Sequence, residues 1–239
     1  MKNLLILGSG WVCCVVCSLV LPEITLGESV HPRRLTIVPF TSVHVEDSFW
    51  SPRIKTNRER SIPHNLKWCE DTGRISNFAK AAGLMEGKFE GIYFNDSDVY
   101  KVLEGVSYAL AQQPDPVLEK EADRIIGLIS AAQRPDGYLN TYYTLTGLDK
   151  RWTNLPAMHE LYCSGHLFEA AVAHHRATGK NSFLNVAVKL ADHIDSIFGP
   201  GKKYGVPGHE EIELALVKLF EVTGEKRYFE LAKFFIDER

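Results

Sequence analysis

Six of the nine histidines fall between His159 and His209, which concentrates the titratable chemistry of the chain in one stretch. His159 opens the octet His159-Glu160-Leu161-Tyr162-Cys163-Ser164-Gly165-His166, and His209 stands in Pro207-Gly208-His209-Glu210-Glu211-Ile212-Glu213. Each precedes an apolar run of helical spacing, so each is expected at the mouth of a helix, the two pointing into one cavity. An imidazole both donates and accepts hydrogen bonds, which suits a polyol whose hydroxyls do the same. Gly208 lets the backbone come close to a ligand. Substrate binding by His159, Gly208 and His209 is therefore one reading of these residues. Two capping histidines with satisfied rings are the alternative.

Other chemistry is less sharply signalled. Cys163, not a histidine, stands four residues after His159, so the zinc-protease pattern His-Glu-x-x-His is absent. His159, Cys163 and His166 at i, i+4 and i+7 share a helical face from which zinc could in principle be held, but polar residues hydrogen-bonded in a semi-buried pocket are the favoured reading for Cys163 and His166. Asp96, Asp98, Glu104, Glu160, Glu210, Glu211 and Glu213 are candidates to face a cavity, and glycoside cleavage commonly needs two carboxyl groups at a set separation. Asp96 and Asp98 also suit a helix cap, and Glu210 and Glu211 the positive end of a helix dipole. The pair His174-His175, near a helix end, is expected to be exposed. Neither a phosphate-cradling glycine loop nor a Gly-x-Ser-x-Gly elbow occurs. A net charge of -3 with no long basic block argues against a nucleic-acid partner.

The N-terminus has its own logic. Lys2 precedes a nearly unbroken apolar run from Leu4 to Leu21, followed by Thr25 and Gly27 at signal-peptidase spacing. Residues 1–27 read as an export signal cut near Gly27, which places the protein in the secreted or periplasmic space. An uncleaved membrane anchor is the alternative. Cys13, Cys14 and Cys17 lie inside the run, leaving Cys69 and Cys163, which make no disulfide framework.

The elements that position the histidines follow from periodicity. Residues 28–54 read as an extended lead-in with β-type pieces at 35–40 and 43–45. Beyond Pro52 apolar residues recur three and four apart, so the body, 55–239, is helical. Helices are predicted over 98–112, capped by Asp96 or Ser97, then from Asp115-Pro116 to about 133, 158–177 ending at Gly179, 182–198, 210–222 and 226–238. These make three hairpins. Ala170-Ala171-Val172 through Thr178-Gly179 recurs 45 residues on as Ala215-Leu216-Val217 through Thr223-Gly224. A period of that size marks stacked helical pairs. The first helix of each pair is apolar all round and the second carries more charge, so the all-α chain is expected to form inner and outer layers of an (α/α) toroid. An open solenoid is the alternative.

Six ordered motifs carry a family resemblance: 47–53 (DSFWSPR), 72–78 (TGRISNF), 96–101 (DSDVYK), 132–141 (AQRPDGYLNT), the His159 octet and 208–216 (GHEEIELAL). Together they resemble glycoside hydrolase family 127, whose type activity is β-L-arabinofuranosidase. The resemblance implies an (α/α)6 barrel followed by β-sandwich domains, a retaining mechanism, a zinc-bound cysteine nucleophile and a glutamate acid/base. A thiolate on zinc has a lowered pKa and is nucleophilic at neutral pH. By the same resemblance His159 and His209 match histidines that contact arabinose, with Gly208 in the same loop. The nucleophile, acid/base and zinc ligands find no counterpart up to Arg239, and Cys163 is not the nucleophile. The 239 residues are thus expected to be the N-terminal half of a hydrolase acting on L-arabinofuranosides of plant-derived glycans, inactive alone, with zinc belonging to the longer enzyme. A non-catalytic sugar-binding or scaffold protein stays open, as does a lyase or epimerase using Glu160 or His209 as base.

Overall fold

The computed structural model describes residues 36–239. The export signal expected over 1–27 lies outside the described residues. Where β-type pieces were expected, the described chain has a 3-10 turn at Phe40–Ser42 and irregular backbone. Val38, Val43 and Val45 are exposed there, with no facing strand to pack on, and β-branched residues alone do not make a strand.

Helix starts earlier than 55. The first arm is α1 (Trp50–Thr56) and α2 (Ile62–Asp71), joined by a π-helical turn at Asn57–Ser61. Pro63 accounts for the wide turn, because it has no N–H for the carbonyl four residues back and its ring crowds that carbonyl. Next come α3 (Arg74–Ala81), α4 (Asp96–Gln112) and α5 (Pro116–Ala132). The carboxylate of Asp115 accepts from the N–H groups of Val117 and Leu118, both at 3.1 Å, and Pro116 fills the first turn, as the sequence led one to expect. Asp96 departs from expectation. It lies inside α4, and its carboxylate accepts from Thr141 N at 2.8 Å and Thr141 Oγ1 at 2.5 Å instead of capping its own helix.

The predicted 158–177 helix is broken. After α6 (Thr141–Thr146) and α7 (Leu155–Met158), His159 turns left-handed at φ 59°, and α8 (Glu160–Thr178) starts on its far side. Then follow α9 (Ser182–Ile197), α10 (Ile212–Thr223) and α11 (Lys226–Asp237). Gly179 and Gly224, both at φ 73°, close α8 and α10 at matching points of the 45-residue repeat.

Packing sorts these helices into layers. The helix α8 lies between α4 and α10, while α5, α9 and α11 back them from outside. Three successive inner–outer hairpins result, half the complement of an (α/α)6 toroid, and no strand occurs among the described residues. With neighbours on both flanks and behind, α8 buries Leu161, Leu167, Phe168 and Val172. Each such side chain contributes roughly 1.5–3 kcal/mol by leaving water. Gly165 lets α10 approach, since a Cβ there would stand 2.6 Å from Glu211 Cγ and 2.8 Å from Ile212 N. His174, expected at the surface, is 1% exposed, packed edge-on to Phe183, and burial pulls its pKa down. Only its neighbour His175 reaches partly outward.

Candidate functional site

The N-termini of α4, α8 and α10 open on the same side of the inner layer, and rings gather there. His159 and His209 stand with ring centroids 5.8 Å apart. The left-handed turn at His159 swings its ring off the helix, where Nδ1 donates to the Ala157 carbonyl at 2.8 Å. A carbonyl only accepts, so Nδ1 carries the hydrogen and Nε2 is the ring nitrogen left to meet a ligand. Phe94 stacks on His159 at 5.1 Å, and Tyr93 meets it edge-on at 5.9 Å. Tyr162 lies 5.5 Å from His159, 4.9 Å from His209 and 4.4 Å from His166. Lys101 of α4 donates to the Tyr162 hydroxyl at 2.6 Å.

Gly208 belongs to the same place for a different reason than expected. Its backbone comes close to protein: a Cβ would lie 1.9 Å from the Pro156 carbonyl oxygen, and its N–H donates to Leu155 O at 3.3 Å. Gly208 thus docks the loop carrying His209 onto α7. Sequence reasoning did not single out Tyr93, Phe94, Lys101 or Tyr162. A signal existed, because Phe94, His159 and His209 each stand one to three residues ahead of an inner helix.

Residues 42–239 match the family model of the β-L-arabinofuranosidase catalytic domain of glycoside hydrolase family 127. The chain belongs to that family. It is 49% identical over 171 residues to a non-reducing end β-L-arabinofuranosidase of Bifidobacterium longum, a match spanning 69% of this chain and 26% of the relative. Among solved structures it is similar to a GH127 β-L-arabinofuranosidase from Geobacillus stearothermophilus, with TM-score 0.81 and 50% identity over 82% of this chain and 32% of that one. A further GH127 β-arabinofuranosidase aligns with TM-score 0.79 and 46% identity, over 84% and 34% of the two chains. The chain thus spans about a quarter of the curated family member and a third of these structures.

Beneath the rings a buried polar network holds the segment that carries His159. Glu160, 2% exposed, accepts from the Tyr138 hydroxyl at 2.7 Å and the Trp152 N–H at 2.8 Å. Burial outweighs these hydrogen bonds and pushes its carboxyl up to about 7. Asp96, equally enclosed, is pushed by burial up to about 6 despite its bonds to Thr141. His193 donates from Nδ1 to Asp136 O at 2.8 Å and accepts at Nε2 from Trp152 Nε1 at 3.3 Å. Burial lowers its pKa and keeps it neutral. Glu160 is therefore an anchor inside the protein and not a base facing a cavity, which removes it from the lyase or epimerase reading.

The remaining carboxylates are engaged by their neighbours. Asp98 pairs with Arg74 at 2.8 Å, Glu210 and Glu213 with Arg239 at 2.7 Å each, and Glu211 with His166 at 3.0 Å. Glu104 accepts from the Tyr108 hydroxyl at 3.0 Å.

Zinc, which the family implies, does not fit the described residues. His159 stands outside the helix, so the 159/163/166 face does not form. The Cys163 thiol is buried against Phe94 O at 3.5 Å and burial pushes it well above its ordinary value. Cys69, also buried, is pushed up to about 11. Among the described residues no group of three His, Cys, Asp or Glu side chains could hold a metal. Both thiols stay protonated at neutral pH and act as core residues.

Proposed function

We propose that His159 and His209 bind a terminal L-arabinofuranosyl unit of a plant-derived glycan, and that the protein is a β-L-arabinofuranosidase. One observation carries the reading: two imidazoles from the segments that lead into adjacent inner helices converge at 5.8 Å on the open side of the layer, in a chain of this family. His159 keeps Nε2 for a ligand, and His209 is exposed. Acceptors and donors at fixed separation suit vicinal hydroxyls, while Phe94 and Tyr93 offer apolar surface to the C–H face of a sugar. The retaining mechanism implied by the resemblance takes neither thiolate nor metal from the described residues. We also propose that residues 1–27 direct export.

Binding and turnover separate in the test. The 239-residue chain is expected to show saturation-transfer NMR contacts with methyl β-L-arabinofuranoside, weakened about tenfold, roughly 1.4 kcal/mol, by His159→Ala or His209→Ala. It is expected to release no nitrophenol from the nitrophenyl glycoside, even with zinc and a thiol reductant. Unchanged contacts in both alanine variants would remove the site. Turnover abolished by His159→Ala would show catalytic machinery within these residues.

A further inference from the structure

We propose that Tyr162 is a positioning residue that fixes the separation of His159 and His209, and that Lys101 holds it in place. This rests on the reading of the two histidines as a sugar-binding pair.

Tyr162 sits on the first turn of α8, and its ring meets imidazoles from three places. These are the α7–α8 junction at His159, α8 itself at His166 and the loop before α10 at His209. His166 is tied in turn to Glu211 at the start of α10, through Nδ1 at 3.0 Å. The phenol ring thus stands against both imidazoles where elements from different parts of the chain meet. A flat, stiff side chain with two rotatable bonds suits that task. His209 has little else to orient it, because its loop is exposed and its docking point is the glycine before it.

Lys101 supplies the lock from the other flank. Its ammonium donates to the phenol oxygen at 2.6 Å and stands 4.8 Å from the ring centroid, with Ser97 Oγ at 3.4 Å. A cation at the hydroxyl and near the ring restrains the ring against rotation about its side-chain bonds. With the lysine donating to the oxygen, the phenol hydrogen remains free for an acceptor on a ligand. Tyr162 acts through the histidines and is not itself assigned a catalytic role.

The test follows the geometry and the affinity in the same samples. In the 239-residue chain, a nuclear Overhauser contact between the ring protons of His159 and His209 is expected. It should vanish in Tyr162→Leu, survive in Tyr162→Phe, and weaken in Lys101→Met, whose exposed position leaves the fold intact. Affinity for methyl β-L-arabinofuranoside should fall about tenfold in the leucine variant and less than about threefold in the phenylalanine one. Persistence of the contact in both Tyr162→Leu and Lys101→Met overturns the proposal. Loss of the contact with unchanged sugar affinity, or no sugar binding by the wild type, leaves the positioning role standing and refutes the sugar reading instead. A leucine variant that fails to fold, seen by circular dichroism, hands the decision to Lys101→Met.

Discussion

Glu160 opposes the fold as it ionises. In the unfolded chain its carboxyl titrates near 4.5, whereas in the folded protein burial raises it to about 7. Between those values the native state holds the proton that the unfolded state has released. The contribution is fully present below pH 4.5 and is lost as pH rises through 7. Asp96 adds the same sign over a lower window, up to about 6. His174 and His193 act oppositely, because their depressed folded pKa values withdraw stability as pH falls below 6.5. Glu160→Gln isolates one of these groups. The amide cannot accept from both Tyr138 and Trp152, a cost independent of pH, but it also never ionises. Relative to wild type the variant should therefore gain on the order of 1–3 kcal/mol between pH 5 and pH 8. Thermal unfolding of both proteins at the two pH values measures it, and an equal gap at both would mean that Glu160 is not the buried acid described.

Helix ends show which signals act locally. Asp115 accepts from two N–H groups of its own first turn and also meets Arg58 at 3.3 Å. Asp115→Ala should therefore lower stability by about 1 kcal/mol, the usual worth of an N-cap. Urea unfolding with unchanged slope is the measurement, and a loss under about 0.3 kcal/mol would show that Arg58 and the cap carry nothing. Asp96 looked like the same kind of cap but serves Thr141, 45 residues away. Nothing in the neighbourhood of Asp96 in sequence announces that partner. The break at His159 is likewise non-local. Left-handed backbone at a non-glycine residue is disfavoured, and it persists here because Ala157 O holds the ring nitrogen and Phe94 stacks on the ring.

For the whole molecule, layering follows from the distribution of apolar residues. Helices apolar on every side go inside, and charged ones cover them. In the last hairpin Leu214 of α10 and Phe229 and Ile236 of α11 are exposed. No helix among the described residues is long and apolar enough to cross a membrane. Under the export proposal, secreted protein should begin near Glu28, as read by N-terminal sequencing. Secreted material that still begins at Met1 would favour the anchor.

Much of the architecture was legible in the chain because its causes are short-range or periodic. The caps at Asp115, Gly179 and Gly224, the 45-residue repeat and the apolar inner helices each express themselves within a few turns. The family motifs, being contiguous, were legible as well. What required tertiary structure was the direction of side chains relative to distant partners. It decided that Glu160 and Asp96 face inward, that His174 is buried, that Gly208 meets Pro156, and that Tyr162 and Lys101 join the two histidines. Those outcomes depend on how α4, α7, α8, α9 and α10 and the loops between them pack together. A helical period specifies which face of a helix is buried, but not which residue of the neighbouring helix it meets.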